Sequence, residues 1–229
     1  MRRNLMVPVI VLLSGASSAP AFAQARTVAI TVTPTAGWYV PTGDLDRFSS
    51  GDRSVGVRRQ AAPMFGFAVE AMRPGHPVSA RGQYGFSTGG SLVARRLSRE
   101  ESCGADCIRS VYSYERLSSA SSAVAVVDLL VRSQSGRLRP YVAAGGGLRR
   151  YGFSQTELEG EFSTAFSQDV SRYVTHLGAG LEGTAKGVTV QLEFGDYFGR
   201  YPSSGAAVVG ATGLQHDLSA SLGITLKLR

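Results

Sequence analysis

Few side chains in this 229-residue sequence are of the types that do chemistry, and their spacing limits what they can do. Its two cysteines, Cys103 and Cys107, stand in Cys-Gly-Ala-Asp-Cys. With no histidine or further cysteine nearby they fall short of the four ligands of a structural metal site. They read as a short disulfide, with Gly104 easing the tight ring. The three histidines are His76, His176 and His216. His216 and Ser219 come nearest to a base and nucleophile pair, but on an extended strand their parities differ and they point to opposite faces. The sequence therefore predicts no catalytic residue, no metal site and no cofactor. What remains is a set of charges standing in otherwise apolar segments: Glu70, Arg81, Asp128, Arg149, Glu182, Glu193 and Asp217, with Arg132 and Lys227. Burying such charges unpaired is costly, so mixed signs of this kind imply ion pairs.

The segments that carry these charges read as strands. From Leu214 onward every second residue is His216, Leu218, Ala220, Leu222, Ile224, Leu226 and Leu228, while the interleaved set is polar or small. A period of two held this long cannot serve a helix. The same alternation runs through 27–40, 64–72, 78–86, 123–132, 140–151, 173–182 and 188–194, which makes eight amphipathic strands. The 28 glycines show no three-residue period and sit within apolar segments, which argues against collagen and against a helical bundle. Only 18% of residues are charged and 43% are hydrophobic, too apolar for a disordered chain. The net charge of +7 is not gathered into one stripe, so no nucleic-acid partner is expected.

Links of two lengths alternate along the chain. The stretches 41–63, 89–120, 154–172 and 202–213 are long, whereas 73–77, 133–136 and 184–187 are short. A transmembrane barrel sorts its connections this way, with short periplasmic turns and long external loops. All but one of the strand segments run 9–15 residues, which exceeds the soluble norm and suits a tilted membrane crossing. On parity Glu70, Arg81, Asp128, Arg149, Glu182, Glu193 and Asp217 face a narrow lumen, and Arg132 and Lys227 lie near its periplasmic end. Eight strands enclose just enough room for side chains to fill, so these charges form an ion-pair plug or, alternatively, gate a narrow channel. Trp38, Tyr39, Phe86, Phe153 and Tyr173 are expected to form an external aromatic girdle. The 89–120 loop carries mixed charge without aromatic anchors, which reads as a solvated loop contacting lipopolysaccharide phosphates.

The amino terminus begins with Arg2 and Arg3, an apolar run from Leu5 to Leu13, and Ala21-Phe22-Ala23 as an A-x-A cleavage site. Residues 1–23 read as a secretory signal peptide of the Sec type, and residues 24–229 as the exported barrel.

The segments Pro140-Tyr141-Val142-Ala143-Ala144-Gly145-Gly146-Gly147-Leu148, His176-Leu177-Gly178-Ala179-Gly180-Leu181-Glu182 and Gln191-Leu192-Glu193-Phe194-Gly195-Asp196-Tyr197, with Leu218 to Ile224, resemble the small OmpA-like outer-membrane β-barrel superfamily of Gram-negative bacteria. The resemblance implies an all-β, eight-stranded, antiparallel up-and-down transmembrane barrel with periplasmic termini. Its partners would be outer-membrane lipid, lipopolysaccharide and, during insertion, the barrel-assembly machinery. The chain departs from that group in stopping at strand eight, without a peptidoglycan-binding domain, and in carrying Leu228 where an aromatic residue is usual. The expected role is structural or surface-interacting; a low-conductance pore for small solutes is the runner-up. A lipid A-modifying barrel enzyme and a soluble periplasmic barrel are more remote readings.

Overall fold

The period of two becomes ten strands in the computed structural model, which describes residues 28–50, 53–104, 107–154, 166, 169–200 and 214–228. They are β1 (Ala29–Pro41), β2 (Asp46–Ser50), β3 (Arg53–Arg59), β4 (Ala62–Met72), β5 (Val78–Gly104), β6 (Cys107–Arg132), β7 (Leu138–Phe153), β8 (Val170–Ala185), β9 (Val188–Arg200) and β10 (Leu214–Leu228). Eight of them, β1 and β4 to β10, pair antiparallel with their neighbours, and the β1–β10 and β5–β6 pairings complete a closed ring. Closure leaves no sheet edge around the barrel wall, because every strand finds a partner on both sides. The signal peptide with Ala21 and Ala23, and the loop expected at 202–213, lie outside the described residues, as does most of 154–172.

Short turns join the ring at one end. Lys186 and Gly187 take φ of 50° and 81°, the left-handed pair that a two-residue hairpin turn demands, between Ala185 and Val188. The β1–β10 seam pairs Val32 with Leu226 and Thr35 with Gly223, and skips the residues between. Pro34 has no N–H to give the ladder there. The hydroxyls of Thr33 and Thr225, 3.0 Å apart, bridge the gap from the lumen side.

Two of the expected long loops are themselves strands. The 89–120 stretch continues β5 and β6 as a paired hairpin well past the rim, with Gly104 opposite Cys107 at its tip. Within 41–63, β2 and β3 form a second hairpin, and β3 takes over on β5 where β4 leaves it: Met64 pairs with Ser87, Arg59 with Leu92. The changeover coincides with a bulge between Ser87 and Gly90, where Gly89 has φ of 75°. Mixed charge had made this region look solvated; strand pairing instead orders its backbone and turns Val55, Val57, Leu92 and Ala94 inward. The sulfurs of Cys103 and Cys107 fall outside the described side chains.

Alternation sorts the side chains. Outward positions are apolar and open, among them Val127, Leu129, Val142, Leu177, Phe194 and Leu222. Inward positions are buried and largely polar. The largest apolar cluster lies at the long-loop end, where Leu45, Val55, Val57, Leu92, Ala94, Ala120, Tyr151, Phe153 and Phe166 gather over the barrel mouth. Asp44 ties this cap together, accepting from Arg58 at 3.0 Å and Arg95 at 3.2 Å.

Candidate functional site in the barrel lumen

Inward parity brings Glu70, Arg81, Asp128, Arg149, Glu182, Glu193 and Asp217 into the lumen, all buried, and they form three layers along the axis. At the turn end, Arg132 on β6 pairs with Glu70 on β4 and with Glu182 on β8, the latter at 3.2 Å. Arg139 on β7 shares Glu182. Lys227 stands opposite Thr31 at the same end.

The middle layer crosses the whole barrel. Arg81 on β5 makes a two-nitrogen contact with Glu193 on β9, one arm at 3.2 Å, and reaches Asp128 on β6 at 3.1 Å. A forked guanidinium meeting a carboxylate in this way is both directional and strong. The Gln83 amide donates to Asp128 at 2.8 Å, and the Tyr141 hydroxyl donates to Glu193 at 2.7 Å while accepting from Gln191 at 2.6 Å. His176 lies 2.9 Å through Nδ1 from Asp128, with its ring stacked on Tyr197 at 4.5 Å. Glycine makes room for these rings. A Cβ on Gly180 would collide with the Tyr141 ring, and one on Gly195 would stand 2.8 Å from His176 Nε2 and from Ser219 Oγ.

Toward the long-loop end, Asp217 accepts from Tyr39 at 2.5 Å, from Tyr151 at 3.1 Å and from Arg149. The Arg149 guanidinium lies among the faces of Tyr39, Tyr151 and Tyr197, 5.4 to 5.7 Å from each ring centre. Above them sits Arg59, buried under the apolar cap, 4.9 Å from the Tyr39 ring and donating to Ser122 at 2.6 Å and Ser87 at 3.0 Å. Two of the five expected girdle aromatics therefore belong elsewhere. Tyr39 points into the lumen because it follows Trp38 on the strand and takes the opposite face, and Phe153 is buried in the cap against Phe166 at 5.0 Å. Trp38, Phe86 and Tyr173 face outward.

Little space survives beside the middle layer. The cavity beside Arg81, Glu193 and Tyr197 measures about 20 Å³, room for roughly one water. A cavity of about 360 Å³ opens at the turn end beside Glu70, Arg132 and Lys227. One of about 350 Å³ opens at the long-loop end beside Ser119 and Phe153.

Several of these groups escaped the sequence reading. Tyr141, Tyr151, Tyr197, Gln83 and Gln191 all lie on the inward parity that had flagged the charges, and attention to charge alone passed over them. Arg59 stands in a stretch read as loop. Asp196 pairs with His216, Nδ1 to Oδ2 at 2.7 Å, on the outer face. They lie 20 residues apart, so only the β9–β10 register shows the pairing. Ser219 faces inward, away from His216, and donates to the Gly195 carbonyl at 3.4 Å. The hairpin also carries the aromatics that its charge pattern hid: Tyr112 and Tyr114 are exposed beyond the rim, with Arg95 4.8 Å from the Tyr112 ring. Among the described residues, no group of His, Cys, Asp or Glu has metal-binding geometry.

No family profile matches the sequence, and no curated protein does. Among solved structures, neisserial surface protein A is similar with a TM-score of 0.47 and 11% identity, over 88% of this chain and 99% of that one. The N-terminal β-barrel domain of Pseudomonas aeruginosa OprF gives a TM-score of 0.40 and 11% identity, over 86% of this chain and 97% of that one. The closed hydrogen-bonded ring makes this chain an all-β, antiparallel, eight-stranded barrel.

Proposed function

We propose that the chain is an integral outer-membrane barrel with a closed lumen, serving a structural or surface-interacting role without catalysis of its own. In this reading residues 1–23 direct export and are removed, the barrel-assembly machinery inserts the remainder, and the short turns face the periplasm. The outer hairpins then stand among lipopolysaccharide and present Tyr112 and Tyr114 outward.

The observation that carries the reading is the inversion of the barrel's polarity. Its outside is an open belt of Leu, Val, Ile and Phe, and its inside holds paired charges around a cavity of about 20 Å³. A water-soluble barrel buries its apolar parity; a lipid-embedded one exposes it, and must pair every backbone group by closing. The Arg81–Glu193 contact lies across the path an ion would take, and the apolar cap covers the outer mouth.

The larger cavities at the two ends favour one other reading, a low-conductance pore gated by the middle layer. Planar-bilayer recording of the refolded chain separates the two. Silence is expected, and discrete conductance steps from the unaltered protein would overturn the closed lumen. Gel mobility that shifts on boiling is expected of the barrel. Release from cells by osmotic shock without detergent would overturn the membrane assignment.

A further inference from the structure

The turn end of the barrel holds an excess of positive charge beside an unused hydroxyl. Arg132, Arg139, Lys227, Glu70 and Glu182 line the cavity of about 360 Å³. Arg132 and Arg139 are matched by the two glutamates, with Arg132 bridging both. Lys227 is left as the one cation of the five groups without a carboxylate partner among the described residues. Directly across the β1–β10 seam stands Thr31, buried, lining the same cavity, and its Oγ1 has no hydrogen-bond partner. A buried hydroxyl without a partner costs free energy unless something fills its place.

The surroundings repeat the sign. The three short turns bring Arg73, Arg137 and Lys186 to this end and contribute no carboxylate. Ala29, Met72 and Pro74 add apolar surface to the cavity. Ile30, next to Thr31 on β1, takes the opposite parity and belongs to the outward belt, so the hydroxyl lies one residue from the barrel's apolar outer face.

We infer that this vestibule is an anion site for the phosphodiester of a net-anionic glycerophospholipid headgroup, one with no ammonium of its own, in the periplasmic leaflet, held by Lys227 Nζ and Thr31 Oγ1. The inference rests on the outer-membrane reading, which puts the turn end at the depth of those headgroups. A phosphodiester carries the single negative charge that the five lining groups lack, and it accepts from both the ammonium and the hydroxyl. An acyl chain attached to it has the outward belt at Val28 and Ile30 to lie along, an apolar surface that a free anion does not use.

The test uses the full chain refolded in an uncharged maltoside detergent and titrated with short-chain dihexanoyl-phosphatidylglycerol, following the amide resonances of Thr31 and Lys227. Saturable shifts at both are expected. The Lys227→Met and Thr31→Val variants should each bind about tenfold more weakly. Dihexanoyl-phosphatidylcholine and inorganic phosphate form the two other arms. An equal response to inorganic phosphate keeps the anion site and removes lipid as its source. An equal response to phosphatidylcholine, no shift at Thr31 and Lys227, or unchanged binding by both variants overturns the proposal. Boiling-dependent gel mobility read on the same samples separates loss of this site from loss of the barrel.

Discussion

Arg81 and Glu193 meet across the diameter of the barrel. Their strands, β5 and β9, lie on opposite sides of the eight-membered ring, with three strands between them either way round. A contact of this kind braces the wall from within. It also leaves both groups dependent on each other, because burial denies them water.

Removing one partner should therefore cost more than a surface pair would. Arg81→Met leaves Asp128 and Glu193 buried without their guanidinium, and the expected loss is about 3–5 kcal/mol. Urea titration of the refolded protein in lipid vesicles measures it. Adding Glu193→Met to Arg81→Met should recover much of that loss, since the orphaned charge goes with it.

Gly195→Ala tests the fit around His176. The new methyl would press on His176 Nε2 and Ser219 Oγ, each 2.8 Å away, and should destabilise the barrel by about 1–3 kcal/mol. Pairing it with Ser219→Gly should restore part of the stability. A fully additive double variant would show that the two positions do not press on each other.

The outward belt makes a prediction of opposite character. Leu222 is exposed midway along β10, and Leu222→Arg should cost about 2–4 kcal/mol in a bilayer. On a water-facing surface the same change would fall within about 0.5 kcal/mol. Unfolding in vesicles distinguishes the two values.

The apolar cap predicts a local effect. Leu92→Ala removes a fully buried side chain from the outer cluster at a cost of about 2–5 kcal/mol to that unit. Trypsin should then cut faster beside Arg95 and Arg96, while the heat-shifted gel band of the barrel survives. Loss of that band would show instead that cap and barrel unfold as one.

Much of this architecture follows from parity, which is a property of the chain alone. Leu218, Leu222 and Ile224 against Asp217, Ser221 and Gly223 already say which side of β10 is apolar, because successive strand residues point to opposite faces whatever the strand pairs with. The closed ring follows from eight such strands joined by short and long links in turn. Parity also assigns Tyr39 to the lumen, against the place among rim aromatics that its position near the strand end suggests.

What needed the tertiary structure was register and reach. The pairing of Arg81 with Glu193 rather than Glu70, its neighbour across β4 and β5, depends on closure bringing opposite walls together, and no local pattern encodes that distance. The β5–β6 hairpin extends past the rim because β3 supplies a partner and Phe166 a cover, contacts between segments far apart in sequence. Asp196 meets His216 only through the β9–β10 register, and Arg132 and Arg139 take both glutamates at the turn end, leaving Lys227 without a carboxylate among the described residues. Side-chain direction is set residue by residue along a strand, so the sequence by itself determined which groups enter the lumen. Which of them touch is set by how far one strand slides against the next, and only the closed ring decided it.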